Sequence, residues 1–252
     1  MHVETRRTDG NGRAFAGSQL QIQTYVNRRS ECLNGAVARG IPELNAASAM
    51  IEWVSPLEAD RFREYSDWKF LARLGLENYA NELANFWPAG GPVWDALARV
   101  VCPSNKALIG VLLVEAKSRP TEFYSGGCGA TALQSVRQID SALSDTQRWC
   151  GAEPGSKWTG RLYQYANRLA HVHFFRNVLG INAWLTNVHI LDDPHSPTSL
   201  SDWETALPSI KRELGLSGGA PYTIDVFLPA CGRELFEQSE PIYEGLVMEE
   251  PQ

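Results

Sequence analysis

The sequence predicts an α/β protein: a mixed central β-sheet flanked by helices. Three observations carry that expectation. Stretches with a strand period of two alternate with stretches of helical spacing along the whole 252 residues. One connection, "CPSNK", has the length and chemistry of a hairpin loop, whereas helical stretches at 130–145 and 157–178 are long enough for crossovers. A hydrophobic content of 44% supports a sizeable core.

Residues 1–16 are polar and Gly-rich and read as a flexible leader. "SQLQIQTYVN" alternates Leu20, Ile22, Thr24 and Val26 against Gln19, Gln21 and Gln23, the pattern of a half-buried strand. A short helix is expected over 29–39, then a strand at "AMIEWVS" (49–55) stopped by Pro56. Helical spacing resumes from Leu57 to Phe86, with a break near Gly75, and ends at the breaker Trp87–Pro92. "VWDALARVV" and "ALIGVLLVEAK" are two strands around the hairpin, and Tyr124–Gly129 is a Gly-rich loop. After the crossover helices come a strand "AWLTNVHIL" (183–191), a helix 201–214 and a strand "YTIDVFL" (222–228). The expected organisation is one domain over 17–240, followed by an acidic tail at 241–252.

The net charge of −6 argues against binding nucleic acid through overall charge but leaves a local basic groove open. Five scattered cysteines without a CxxC pair read as reduced thiols, which suits a cytoplasmic protein. The N-terminus lacks an apolar signal core, and no apolar run is long enough to span a bilayer, so no membrane partner is expected.

"GVLLVEAKS" raises the question of function. In a strand, Glu115 and Lys117 point to one face and Val114 and Ala116 to the other. With the preceding hairpin centred on Asn105, Asp95 stands opposite Glu115. Opposed side chains lie about 4.5–5.5 Å apart at Cβ, and two carboxylates that close repel unless a cation joins them. Hard oxygens of this kind suit Mg²⁺ shared with a phosphate, with Lys117 orienting water or neutralising developing charge. The alternative is a strand that simply ends in solvated charges.

An acid on one strand, Glu-x-Lys at the end of the next and a Gln on a later helix resemble the PD-(D/E)xK nuclease superfamily. Trp94-Asp95 stands where that family has Pro-Asp, and Glu115-Ala116-Lys117 matches the second half of the motif. The resemblance covers about Leu76–Leu191 and implies a restriction-endonuclease-like α-β-β-β-α-β core with N- and C-terminal additions. It implies Mg²⁺ (or Mn²⁺) on Asp95, Glu115 and the Ala116 carbonyl, DNA as partner, and a 5′-phosphate product. Gln164 matches the supporting Gln; where an aromatic is expected four positions on, Arg168 stands, available for a phosphate. Gln164, Arg168 and His171 share one helical face. The family's helical acid could be Glu77 or Glu82, the latter nearer the start of the sheet at Trp87. A homodimer is compatible with the resemblance.

Two other readings stay open: a nuclease-fold protein without catalysis that binds a partner, and a thiol enzyme using Cys128 in "YSGGCGAT". His189 and His195 near Asp192-Asp193 are accounted for by a strand-end turn, and Trp53, Trp68, Trp87 and Trp94 by the core.

Overall fold

The computed structural model describes residues 7–236. Five strands, β1 (Met50–Ser55), β2 (Ala96–Val101), β3 (Leu108–Lys117), β4 (Ala183–Leu191) and β5 (Thr223–Pro229), lie side by side in sequence order. β1–β2 and β2–β3 are antiparallel, while β3–β4 and β4–β5 are parallel, so the sheet is mixed.

Helices cover both faces. Side chains alternate along β3: Leu112, Val114 and Ala116 enter one core, and Val111 and Leu113 the other. The first core is closed by α1 (Gly17–Arg28), α2 (Ser30–Gly40) and the short α3 (Pro42–Ala46). The second lies under α4 (Asp67–Arg73), α5 (Ala80–Phe86), α6 (Leu133–Cys150), α7 (Tyr163–His173) and α8 (Leu200–Glu213). α6 and α7 form the crossover from β3 to β4, and α8 the one from β4 to β5, as parallel neighbours require. A π turn, Phe174–Val178, continues α7. α8 starts at a capping box, in which Ser199 and Asp202 satisfy each other's backbone amides.

One expected element changes type. The stretch 18–27 is helix, not strand, and α1 is buried on every side from Leu20 to Val26. Of the glutamines that suggested a solvent face, Gln21 and Gln23 are sealed inside, and Gln19 is partly buried. Gln21 bonds both the N–H and the carbonyl of Cys231, at 2.7 and 3.1 Å. Gln23 accepts from Ala14 N and donates to the Gly12 carbonyl, at 2.8 and 3.2 Å. Polar residues buried with full hydrogen bonding erase the amphipathic signature on which a sequence reading depends. The same bonds tie down the expected leader: Ala14 is fully buried against Leu20, Phe62 and Phe236.

Between Leu57 and Phe86 the helical spacing resolves into α4 and α5 with turns around them, and Gly75 does mark the break. Trp87 and Trp94 are core, but Trp68 is 55% exposed, and Trp53 is half-buried with its indole N–H on Asn34. The acidic tail lies outside the described residues. No helix among the described residues is long and apolar enough to cross a membrane.

β3 packs so closely on the start of β4 that only glycine fits at 110. A Cβ there would meet the Trp184 ring at 2.6 Å and the Asn182 carbonyl at 2.7 Å. Gly110→Ala is expected to destabilise the protein by about 1–3 kcal/mol, the usual cost of overpacking. Urea unfolding measures this, and an unchanged midpoint would contradict the close approach.

Candidate active site

The hairpin has the expected register. Ala96 pairs with Val114 and Val100 with Gly110, so the ladder is centred on Asn105, and Asp95 and Glu115 flank its open end. Asp95 sits one residue ahead of β2, and its Oδ2 accepts from the Ala116 N–H at 2.7 Å. The Ala116 backbone therefore meets Asp95 through its amide.

Glu115 is buried, at 3% exposure, and closed in by two cations. Its Oε1 takes the Lys117 ammonium, and its Oε2 the Arg168 Nε at 2.6 Å. Lys117 also donates to Gln164 Oε1 at 3.3 Å. Arg168 is fixed further by the Val93 carbonyl (2.8 Å), the Asn167 side chain (3.0 Å) and the Trp94 ring beneath it (4.8 Å). Asp95, Glu115, Lys117, Gln164 and Arg168 thus converge from β2, β3 and α7. His171, one turn further on, is also buried, but among Phe70, Trp87 and Trp94. Its Nδ1 bonds the Asn167 carbonyl, and burial pushes its pKa down to about 3.

Glu77 and Glu82 are exposed, Glu77 ahead of α5 and Glu82 on its first turn. The acid that does crowd the site is Glu64, in the segment between β1 and α4, which sequence spacing did not single out. Its Oε1 accepts from Gln19 at 3.0 Å, so α1 holds it in place.

The charges are unevenly balanced. Burial alone would raise the Glu115 carboxyl, but the charges of Arg168 and Lys117 hold it below the ordinary carboxylate range. Asp95 goes the other way. Burial, then the carboxylates of Glu115 and Glu64, push it up to about 8 against the pull of Lys117. Burial also raises Glu64.

A second polar group, which the sequence did not reveal, adjoins the first. In the parallel register Glu115 faces Asn187 and Lys117 faces His189, and Asn187 in turn faces Asp225. His189 lies within β4, fully buried, rather than in the turn that holds Asp193 and His195. Its Nε2 bonds Asp225 Oδ1 at 2.9 Å, and Asn187 Nδ2 reaches the same oxygen at 3.2 Å. Lys211 of α8 closes the group on Asp225 Oδ2 at 2.5 Å. The available signal was two polar residues, two apart, on one otherwise apolar face of a strand. Asp193 instead accepts from Ser118 Oγ at 2.7 Å and latches the chain just after Lys117.

Cys128 is partly exposed, in a loop held by its N–H on the Thr159 carbonyl; all five cysteines are free thiols. Among the described residues no three of His, Cys, Asp or Glu gather closely enough to hold a metal ion by themselves.

Two outcomes follow from the charge balance. Arg168→Met leaves one Glu115 oxygen buried without its cation and is expected to cost about 3–5 kcal/mol, with the loss smaller when Glu115→Gln is added; chemical denaturation of both variants checks it. Asp95 binds its proton more tightly folded than unfolded. Its contribution is therefore full below its ordinary value of 3.8 and is lost as pH rises through about 8. In divalent-free buffer, Asp95→Asn should match wild-type stability in acid and exceed it by a growing margin up to that pH. A constant difference across the range would contradict the crowding.

No protein-family model, no curated protein and no solved structure matches this chain.

Proposed function

We propose that the protein is a metal-dependent nuclease that hydrolyses phosphodiester bonds of DNA. The observation that carries this reading is the convergence of Asp95, Glu115 and Lys117 at the open end of one hairpin, with Gln164 on the lysine. Between Leu76 and Leu191 the order is α5, β2, β3, α6 and α7, then β4, so the antiparallel pair and the helical crossover to a parallel strand support this reading, while β1 stands earlier in the chain, separated from β2 by α4 and α5.

The donor set suits Mg²⁺ or Mn²⁺. Such an ion needs only one or two carboxylates beside water and substrate oxygens, and Asp95 stands among acids whose repulsion a cation relieves. When bound, the ion supplies Lewis-acid polarisation of the phosphoryl oxygen and a more acidic water. Asp95 and Glu115 would hold it, with the Ala116 carbonyl that the resemblance implies and Glu64, the acid that crowds Asp95, as further oxygens. Lys117, kept in line by Gln164, directs its ammonium at the attacking water or at charge growing on phosphorus. Arg168 keeps Glu115 ionised and oriented.

Incubation of DNA with the protein and Mg²⁺ or Mn²⁺ tests the reading. Hydrolysis should fall about 10²–10³-fold in Lys117→Ala, the scale for loss of one transition-state donor, and should be lost in Asp95→Asn. If every form of DNA and RNA stays intact, the catalytic reading is dropped.

One observation favours a second reading, a nuclease-like fold that binds without cutting: both Glu115 oxygens are taken by cations, one of them from Arg168. Calorimetric titration with Mn²⁺ separates the two. A binding module shows no affinity that Asp95→Asn abolishes.

A further inference from the structure

Where β3 leaves the sheet, a groove of about 480 Å³ opens between the start of α1 and the segment after Lys117. Arg7, Phe15, Gln19, Arg119 and Glu122 line it. Both walls reach the candidate site. Gln19 bonds Glu64, which crowds Asp95. Arg119 is two residues beyond Lys117 on nearly extended chain, about 7 Å along the backbone.

The groove sets two arginines against one glutamate, on a protein whose net charge is −6. Arg7 is exposed and belongs to none of the ion pairs among the described residues. Arg119 is 57% exposed at its side chain and only loosely paired, 3.7 Å from Glu122 Oε1. Glu122 is otherwise occupied as a brace: its Oε2 accepts from Ser18 Oγ at 3.2 Å and from Ser118 N at 3.4 Å. α1 adds to the positive field, because its first turn carries no acid and Ala16 offers no capping side chain. Phe15, 48% exposed, presents an apolar ring at the rim, where the Arg233 guanidinium lies 4.8 Å from its centroid.

We propose that this groove holds the phosphates of the DNA strand next to the bond at Lys117, with Arg7 and Arg119 as their ligands. The assignment rests on the nuclease reading and adds the path of the substrate to it. Exposed guanidiniums suit phosphate oxygens by their fork geometry. Contacts of this kind hold the backbone without reading sequence. An acidic protein gains affinity for a polyanion only where such charges gather, and this gathering adjoins the candidate site.

The test is equilibrium binding of a short fluorescent DNA duplex, and of each single strand, in divalent-free buffer over a series of salt concentrations. Each phosphate contact contributes about 0.9 to the slope of log K against log salt for duplex and about 0.7 for single strands. Arg7→Ala/Arg119→Ala is expected to lower the duplex slope by about 2 and to weaken binding equally across sequences. Each single variant should give half the effect, and Arg137→Ala on α6, exposed elsewhere, none. Circular dichroism and the unfolding midpoint verify that the variants fold. If DNA still binds with slope and affinity unchanged in the double variant, the groove is overturned while the nuclease reading stands. If the wild-type protein binds no DNA even at low salt, the groove is overturned as well, and the hydrolysis assay judges the nuclease reading separately.

Discussion

The constraint on which this structure depends is a carboxylate shut inside the protein between two cations. Taking Glu115 out of water costs several kcal/mol, which only close, well-oriented partners offset. Lys117 comes with the strand, two residues on, but Arg168 comes from α7 and meets Glu115 only if that helix lies across the end of β3. The guanidinium is itself held by the Val93 carbonyl and the Trp94 ring, just ahead of β2. One buried charge therefore fixes the position of a helix, the end of a strand and the approach of its neighbour.

That closure leaves the charge budget lopsided. Two cations hold Glu115 ionised, while at Asp95 burial and the Glu115 carboxylate, with Glu64 adding to them, outweigh the pull of Lys117. The positive charge is used on Glu115, and Asp95 at the open end of the hairpin is left holding its proton up to about pH 8. On the proposed reading, an incoming cation at Asp95 would take the place of that proton. Arg119, two residues beyond Lys117, pairs with Glu122 rather than with Asp95 or Glu64.

Much of this was legible where interactions are local. The β2–β3 register follows from a loop centred on Asn105, and the ladder that forms brings Asp95 and Glu115 to its open end. The shared face of Gln164 and Arg168 follows from helical spacing alone. Long-range partners hid the rest. Gln21 owes its burial to the backbone of Cys231, 210 residues away, so a helix passed for a strand. Glu64 matters because Gln19 reaches it from α1, and no spacing within 57–86 announces that. Glu82 looked near the sheet along the chain, yet α5 turns it to solvent.

The sheet itself shows where the apolar core gives way to polar side chains. On the face beneath α7, β3 and β4 present Val111, Leu113, Ala183 and Leu185, and then, two residues further along each strand, Glu115, Lys117, Asn187 and His189. The change occurs at the same level on both strands, and β5 continues it with Asp225. A change confined to one strand would mean a strand emerging into solvent. Here Glu115, Lys117, Asn187 and His189 all remain buried, so the polar row is internal. It is also incompletely satisfied: Asn187 Oδ1, His189 Nδ1 and, on the opposite face of β4, Thr186 Oγ1 find no partner among the described residues. Buried polar atoms without partners are costly and uncommon. Asn187 and His189 stand beside Glu115 and Lys117 in the parallel register, so two of these unpartnered atoms lie on the buried polar row itself.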